Sequence, residues 1–324
     1  MRLKLVKSDT NVDFFGVTKL TLGLSAFLMI ASVVAFFVLG LNFGIDFKGG
    51  TLLRVQTTEI VDISVYRSTM DTLDLGDVSI TEVFDPTSDG ATHVVNIKIE
   101  QQDPDGPLAA QNDLIKLIKS ALEEAIPTIT FSQTDSVGPA VSGELVKAGI
   151  LAIVLAVGAV LFYIWLRFEW QFSVGAVAAL VHDVTLTIGI FCVTQIEFNL
   201  TIIAAILTIV GYSLNDTVVV FDRVRENLRK YKTKVLKDVL NLSINETLSR
   251  TIMTSVTTLI ALLALYFLGG DVIRGFTFAM IWGVIVGTYS SVFVASVILL
   301  RLGVKRDWDK KAAAAGTKFA DIDA

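Results

Sequence analysis

Gly211-Tyr-Ser-Leu-Asn-Asp-Thr-Val-Val-Val-Phe-Asp-Arg-Val-Arg-Glu-Asn227 is the stretch on which the reading of this chain turns. It sets Asn215 and Asp216 inside an apolar run that begins near Phe198, and a basic segment follows at once. A run of that length spans a bilayer as a helix. An ionisable residue near the centre of such a helix costs about 3 kcal/mol or more, a cost usually tolerated for a role in ion or substrate movement. Asp216 is therefore the first candidate for function.

The rest of the chain agrees with a membrane reading. Of 324 residues, 53% are hydrophobic and only 18% charged, and the apolar residues come in long blocks. A soluble domain of this size carries more charge. Six blocks reach the length of about 20 residues that a span requires. They are Leu20 to Phe43, Ala148 to Leu166, Trp170 to about Val193, Phe198 to Phe221, Thr251 to Gly270 and Gly275 to Leu300. The third is interrupted by His182-Asp183 and the fourth by Asp216. The first is too long for the apolar core of a signal peptide and lacks a small-x-small cleavage site, so it reads as a retained anchor. The lone Cys192 lies in an apolar run and permits no intrachain disulfide.

Lysine and arginine orient the spans. Residues 1–19 carry Arg2, Lys4 and Lys7, Arg167 separates spans two and three, and residues 222–249 form a strongly basic loop. Arg301, Lys305 and Arg306 follow span six, ahead of an Ala-rich tail at 305–324 that reads as disordered. With six spans all of these fall on one side, which places both termini in the cytoplasm. Within the 222–249 loop, Val235–Leu242 has the stripe of a helix lying at the interface. The opposite side receives the insertion at 44–143.

That insertion reads as a folded module. Strand patterns cover Thr51–Gln56, Val78–Phe84, His93–Ile99 and Thr128–Thr134, and helical stripes cover Val61–Leu73 and Leu108–Ile126. Asp85–Gly90 is a turn cluster and Asp103–Pro107 a loop. The order βαββαβ is the ferredoxin-like arrangement, with one sheet face covered by two helices and the other free for a partner. Two tempting site readings fail. Gly44-Ile-Asp-Phe-Lys-Gly-Gly-Thr51 has the outline of a phosphate loop, but Gly50 stands where the lysine belongs. Gly49 and Gly50 instead suit a tight turn into the first strand. His93 is a sheet residue, and no His/Cys/carboxylate cluster has metal-ligand spacing, so neither cofactor nor metal is expected. No nucleic-acid signature appears.

In the membrane, span four ends near Phe221, which sets Asp216 roughly 8 Å deep at about 1.5 Å per residue. Arg250 stands at the mouth of span five on the same side, so the two charges can meet. A carboxylate that Arg250 holds ionised, and that takes a proton when Arg250 withdraws, is a physical basis for proton-coupled work. The structural alternative is a static ion pair. Asn215, Ser213, Thr217 and Thr208 make this helix polar enough for a wet path. Asp183, with His182, is a second relay group or a hydrogen-bonded strut. Gly283-Val-Ile-Val-Gly287 allows close helix approach, and its helix face is expected to be covered by a second subunit.

Four motifs together carry a family likeness over nearly all of the chain. They are Gly44–Thr51, Val181-His-Asp-Val184, Gly211–Asn227 and Asn245-Glu-Thr-Leu-Ser-Arg-Thr-Ile252. The chain resembles the SecD/SecF family of bacterial protein-export membrane proteins, on its SecF side, within the resistance–nodulation–division superfamily. The resemblance implies a non-enzymatic subunit that pairs with a SecD-like protein. The pair would use the proton-motive force to help preproteins leave the SecYEG channel across the bacterial inner membrane. It implies that Asp216 and Arg250 belong to the proton path. Polar residues supplied by SecD cannot be named from this chain, whose opening Met and basic segment read as the start of a separate subunit. Other proton-driven exporters of the superfamily, and a plain membrane anchor presenting a binding domain, are the rival readings. The first usually have twelve helices and two large insertions in one chain; the second has no need of Asp216 or Arg250.

Overall fold

The computed structural model describes residues 10–73, 75, 78–83, 93–100 and 108–304. The expected turn at 85–90, the loop at 103–107 and the tail at 305–324 lie outside them. The elements run α1 (Thr18–Val38), α2 (Ile45–Lys48), β1 (Gly50–Thr57), α3 (Ile63–Asp71), β2 (Val78–Val83), β3 (His93–Glu100), α4 (Leu108–Ala125) and β4 (Thr130–Val137). Then follow α5 (Pro139–Arg167), α6 (Trp170–Thr194), α7 (Leu200–Lys230), α8 (Leu236–Leu268), α9 (Asp271–Ser290), a π-helical turn (Ser291–Ala295) and α10 (Ser296–Leu302). Six helices are long and apolar enough to cross a membrane, the last being α9 to α10 read through the π turn. A small α+β domain stands between the first of them and the rest.

The inserted domain is a four-stranded sheet in the order β2-β3-β1-β4, with every neighbouring pair antiparallel. This is the ferredoxin-like βαββαβ order. Alternation along β1 and β3 turns Leu53, Val55, Val95, Ile97 and Ile99 toward the helices, where Tyr66 and Met70 of α3 and Ile118 and Leu122 of α4 close the core. Leu53, Val55, Tyr66, Ile97 and Leu122 have essentially no exposure. The other face is more polar, with Arg54 Nε donating to Asn96 Oδ1 at 3.0 Å across β1 and β3. Gly49 and Gly50 take φ of 76° and 137°, and a Cβ on Gly50 would run into the carbonyl oxygen of Ile99. Only glycine turns the chain so sharply and lets β3 come so near.

In the bundle α6, α7 and the α9–α10 helix are central and the most buried, while α1 and α5 are mostly exposed apolar surface. Three expectations change. Val235–Leu242 is not a separate interfacial helix: α8 begins at Leu236 and runs unbroken through span five, with Val239 and Leu240 buried in the core. Much of the stretch read as a basic loop is likewise helical, since α7 continues to Lys230. Its charged residues ride on helix extensions with a short turn between them. Gly283 and Gly287 do permit close approach, but toward α7 of the same chain. A Cβ on Gly283 would strike Ile209, and one on Gly287 would lie 3.0 Å from Ser213 Cβ.

Candidate functional site

The spanning helices α6, α7, α8 and α9 carry the polar residues singled out in the sequence, and their burial separates them. Asp216, near the middle of α7, is 4% exposed. Its Oδ2 atom is buried and has no hydrogen-bond partner among the described residues. Asn215, the next residue back, points to the other side of the helix and is exposed. Arg250 on α8 is also exposed. No direct ion pair joins it to Asp216 among the described residues. The expected meeting of the two charges is therefore not formed among the described residues. Beside the pair, Thr251 on α8 is buried, and its hydroxyl also lacks a partner among the described residues.

Asp183 has the opposite environment. It has no exposure, and both of its carboxylate oxygens have close polar partners. Ser213 Oγ of α7 donates to Asp183 Oδ2 at 2.5 Å, and Ser290 Oγ of α9 donates to the same atom at 2.8 Å. His182 Nδ1 lies 2.9 Å from Asp183 Oδ1, and its ring stacks on Tyr289 with centroids 5.9 Å apart. Tyr289 in turn reaches α1, donating to the Thr21 carbonyl at 2.8 Å and lying 2.9 Å from Ser25 Oγ. One carboxylate therefore gathers α6, α7 and α9, and through His182 and Tyr289 its network extends to α1. Ser213 is three residues before Asp216 on α7, which is one helical turn. Asp183 and Asp216 are consequently connected through the backbone of that turn rather than by direct contact.

Several other polar residues of the α7 and α8 motifs are staples. Asn227 Nδ2 donates to Ser243 Oγ at 3.0 Å and to Glu246 Oε2 at 2.6 Å, and Arg223 Nε donates to Glu246 Oε2 at 2.7 Å. Asn245 grips the N-terminal segment in both directions. Its Oδ1 accepts from the Val12 amide at 2.9 Å, and its Nδ2 donates to the Val12 carbonyl at 2.9 Å. These bonds hold the α7–α8 pair and residues 10–15 together beyond Asp216. Ser290, Tyr289 and Thr251 were not singled out as site residues from the sequence. A serine or tyrosine in an apolar run carries no mark of what it bonds. Among the described residues, no group of His, Cys, Asp and Glu could hold a metal ion.

Comparison with known proteins agrees with this architecture. Residues 117–305 match the family described as protein export membrane protein SecD/SecF, C-terminal, and residues 34–59 match the SecD/SecF GG motif. The protein translocase subunit SecF of Cereibacter sphaeroides is 57% identical over 100% of this chain and 99% of its own length. The SecF of Rhodobacter capsulatus is 54% identical over 96% of this chain and 94% of its own. The crystal structure of SecDF, a translocon-associated membrane protein, from Thermus thermophilus superposes with a TM-score of 0.79 at 32% identity. That superposition covers 93% of this chain and 40% of the solved one. SecDF in its Super-membrane-facing form gives 0.68 at 33% identity, over 98% and 42%. This chain therefore spans about two fifths of the solved SecDF chains. With a family match over more than half its length, close relatives along all of it and the same fold in solved structures, the chain belongs to the SecD/SecF family of protein export membrane proteins, among its SecF translocase subunits.

Proposed function

We propose that this subunit, paired with a SecD-like protein, uses the proton-motive force to promote preprotein movement through a SecYEG channel. It sits in the bacterial inner membrane with both termini in the cytoplasm and the sheet domain in the periplasm. Asp216 is the group that takes and releases the proton, and Arg250 sets its charge. One observation carries this reading: Asp216 is a buried carboxylate within a spanning helix whose Oδ2 no hydrogen bond satisfies among the described residues. A strut carboxylate is bonded on all sides, as Asp183 is. An unsatisfied carboxylate is costly to keep charged, and the cost falls when it is protonated or when a cation approaches. Arg250, exposed on α8 and without an ion pair to Asp216 among the described residues, would supply that cation. Asn215 and Arg250, both exposed on the outside of this six-helix unit, complete the path toward the partner.

The test is proton-dependent export from membrane vesicles. Asp216→Asn has the shape of the neutral acid and gives up no hydrogen bond at Oδ2. It should insert and accumulate normally while abolishing the proton-dependent part of export. Arg250→Met should do the same, and Arg250→Lys should keep part of the activity, a point charge replacing a planar fork. Full proton-dependent export by Asp216→Asn at normal protein levels would overturn the assignment.

A further inference from the structure

The motif Gly44-Ile-Asp-Phe-Lys-Gly-Gly50 is not used by the proton path, yet it joins the base of the inserted domain to the bundle, packing on α5 and on the loop that precedes α7. Its backbone forms a short parallel bridge with the α6–α7 loop: the Gly44 amide donates to the Phe198 carbonyl at 2.9 Å, and the Phe198 amide to the Asn42 carbonyl at 2.7 Å. Asp46 of α2 then reaches the first turn of α7, where its Oδ2 accepts from the Leu200 amide at 3.0 Å. The first amides of a helix have no intrahelical acceptor, so Asp46 satisfies one of them from another element and sets a negative charge at the positive end of α7. Asn199 caps the same turn from within, accepting from the Ile202 amide. The rings of Phe43, Phe47 and Phe198 pack mutually, with centroids 5.7 to 6.0 Å apart. From the sheet itself, Lys98 on β3 forms an ion pair with Glu197, three residues before α7 begins. A Cβ on Gly44 would press on the carboxylate end of Glu197, which would have to shift.

We infer that Asp46 and the Lys98–Glu197 pair are positioning residues that lock the sheet domain onto the N-terminal end of α7, so that the domain and the helix carrying Asp216 move as one body. This rests on the proposed role of Asp216, since it gives that residue's helix a rigid lever outside the membrane. A shift or rotation of α7 that follows a change of charge at Asp216 is delivered to the domain through two charged contacts and one aromatic cluster. A loose linker would instead absorb it.

The test uses the full chain with its membrane partner in lipid, with nitroxide labels on Glu124→Cys in α4 and Val272→Cys in α9. The native Cys192 is buried and is left in place. The parent should give one narrow distance distribution. Lys98→Glu and Glu197→Lys should each broaden it and remove most of the proton-dependent export, and the double swap should restore both. Asp46→Ala should broaden it, whereas Asp46→Asn, which keeps an acceptor oxygen for the Leu200 amide, should stay narrow. Unchanged widths in the single variants, or a swap that restores neither readout, would overturn the lock. Broadened distributions with unchanged export would overturn its role in transmission. The distance arm requires no export, so a parent without proton-dependent export would refute the role of Asp216 and leave the lock to be decided by the distances.

Discussion

Asp183 and Asp216 are both buried carboxylates on spanning helices, and what distinguishes them is who bonds to them. Asp183 accepts from two serines and meets His182, while Asp216 leaves Oδ2 unsatisfied among the described residues. Substitution should separate the two roles. Asp183→Leu strips the acceptor from Ser213 and Ser290 and leaves His182 Nδ1 unsatisfied as well, and each buried polar group so stranded costs about 1–3 kcal/mol. We expect a clear fall in the amount of inserted protein and in its unfolding midpoint in detergent. Asp183→Asn keeps one acceptor oxygen and should be milder on both counts. Asp216→Asn should leave both unchanged. A stable Asp183→Leu protein would mean that the hydroxyls find other partners and that Asp183 is no node. In the sequence, His182-Asp183 stands out as a charged interruption of an apolar run, as does Asp216. Their unlike surroundings do not, because the partners of Asp183 lie 30 and 107 residues away along the chain. No local spacing brings a serine in one apolar run to a carboxylate in another.

Helix against helix, the packing is set by small residues whose position was legible but whose partner was not. Gly283 and Gly287, four residues apart, announce one face on which a neighbour comes close. That spacing is silent about whether the neighbour belongs to the same chain, and here it is α7, with Ile209 and Ser213 lying over the two glycines. Close approach at Gly287 brings Ser213 and, one turn on, Ser290 to the same carboxylate of Asp183. The π turn that follows at Ser291–Ala295 had no sequence mark either; within it the chain gains a wider turn, and Ser296 Oγ bonds back to the Ser291 carbonyl at 3.1 Å. Gly283→Ala should therefore destabilise the bundle by about 1–3 kcal/mol through overpacking against Ile209. Ile209→Ala, which leaves a cavity, should also destabilise it alone. Combined, the added methyl occupies room that the shortened side chain vacates, so the double variant should lose less stability than the sum of the singles. Strict additivity in detergent unfolding would show that Gly283 and Ile209 do not press on one another.

On the scale of the whole molecule, six spans and a ferredoxin-like insertion were readable because span length and strand alternation are imposed by the bilayer and by the sheet. Which face of each helix turns inward was not readable, since lipid and protein interior are equally apolar and blur the amphipathic period. The structure leaves one surface of α7 exposed along Thr201, Ala204, Thr208, Gly211 and Asn215, and α8 adds Arg250, Thr257 and Ala261. This is a stripe of small and polar residues on helices that are otherwise apolar, a surface suited to another helix at close range and poorly suited to lipid. It also carries Asn215 and Arg250, so the SecD-like partner of the proposed function would complete the polar path by covering it. The solved SecDF chains are more than twice as long as this one, which leaves ample chain for a matching half. Gly211 is the position to probe, because it lies on the exposed face of α7 and a Cβ there meets nothing within 4 Å in this subunit. Gly211→Phe should leave the subunit inserted and folded and abolish its co-purification with a SecD-like companion. The same aromatic at Val154, on the exposed face of α5, should leave the complex intact. If Gly211→Phe co-purified as fully as the parent, the α7 stripe would not be the contact surface, and Asn215 and Arg250 would face something other than the partner subunit.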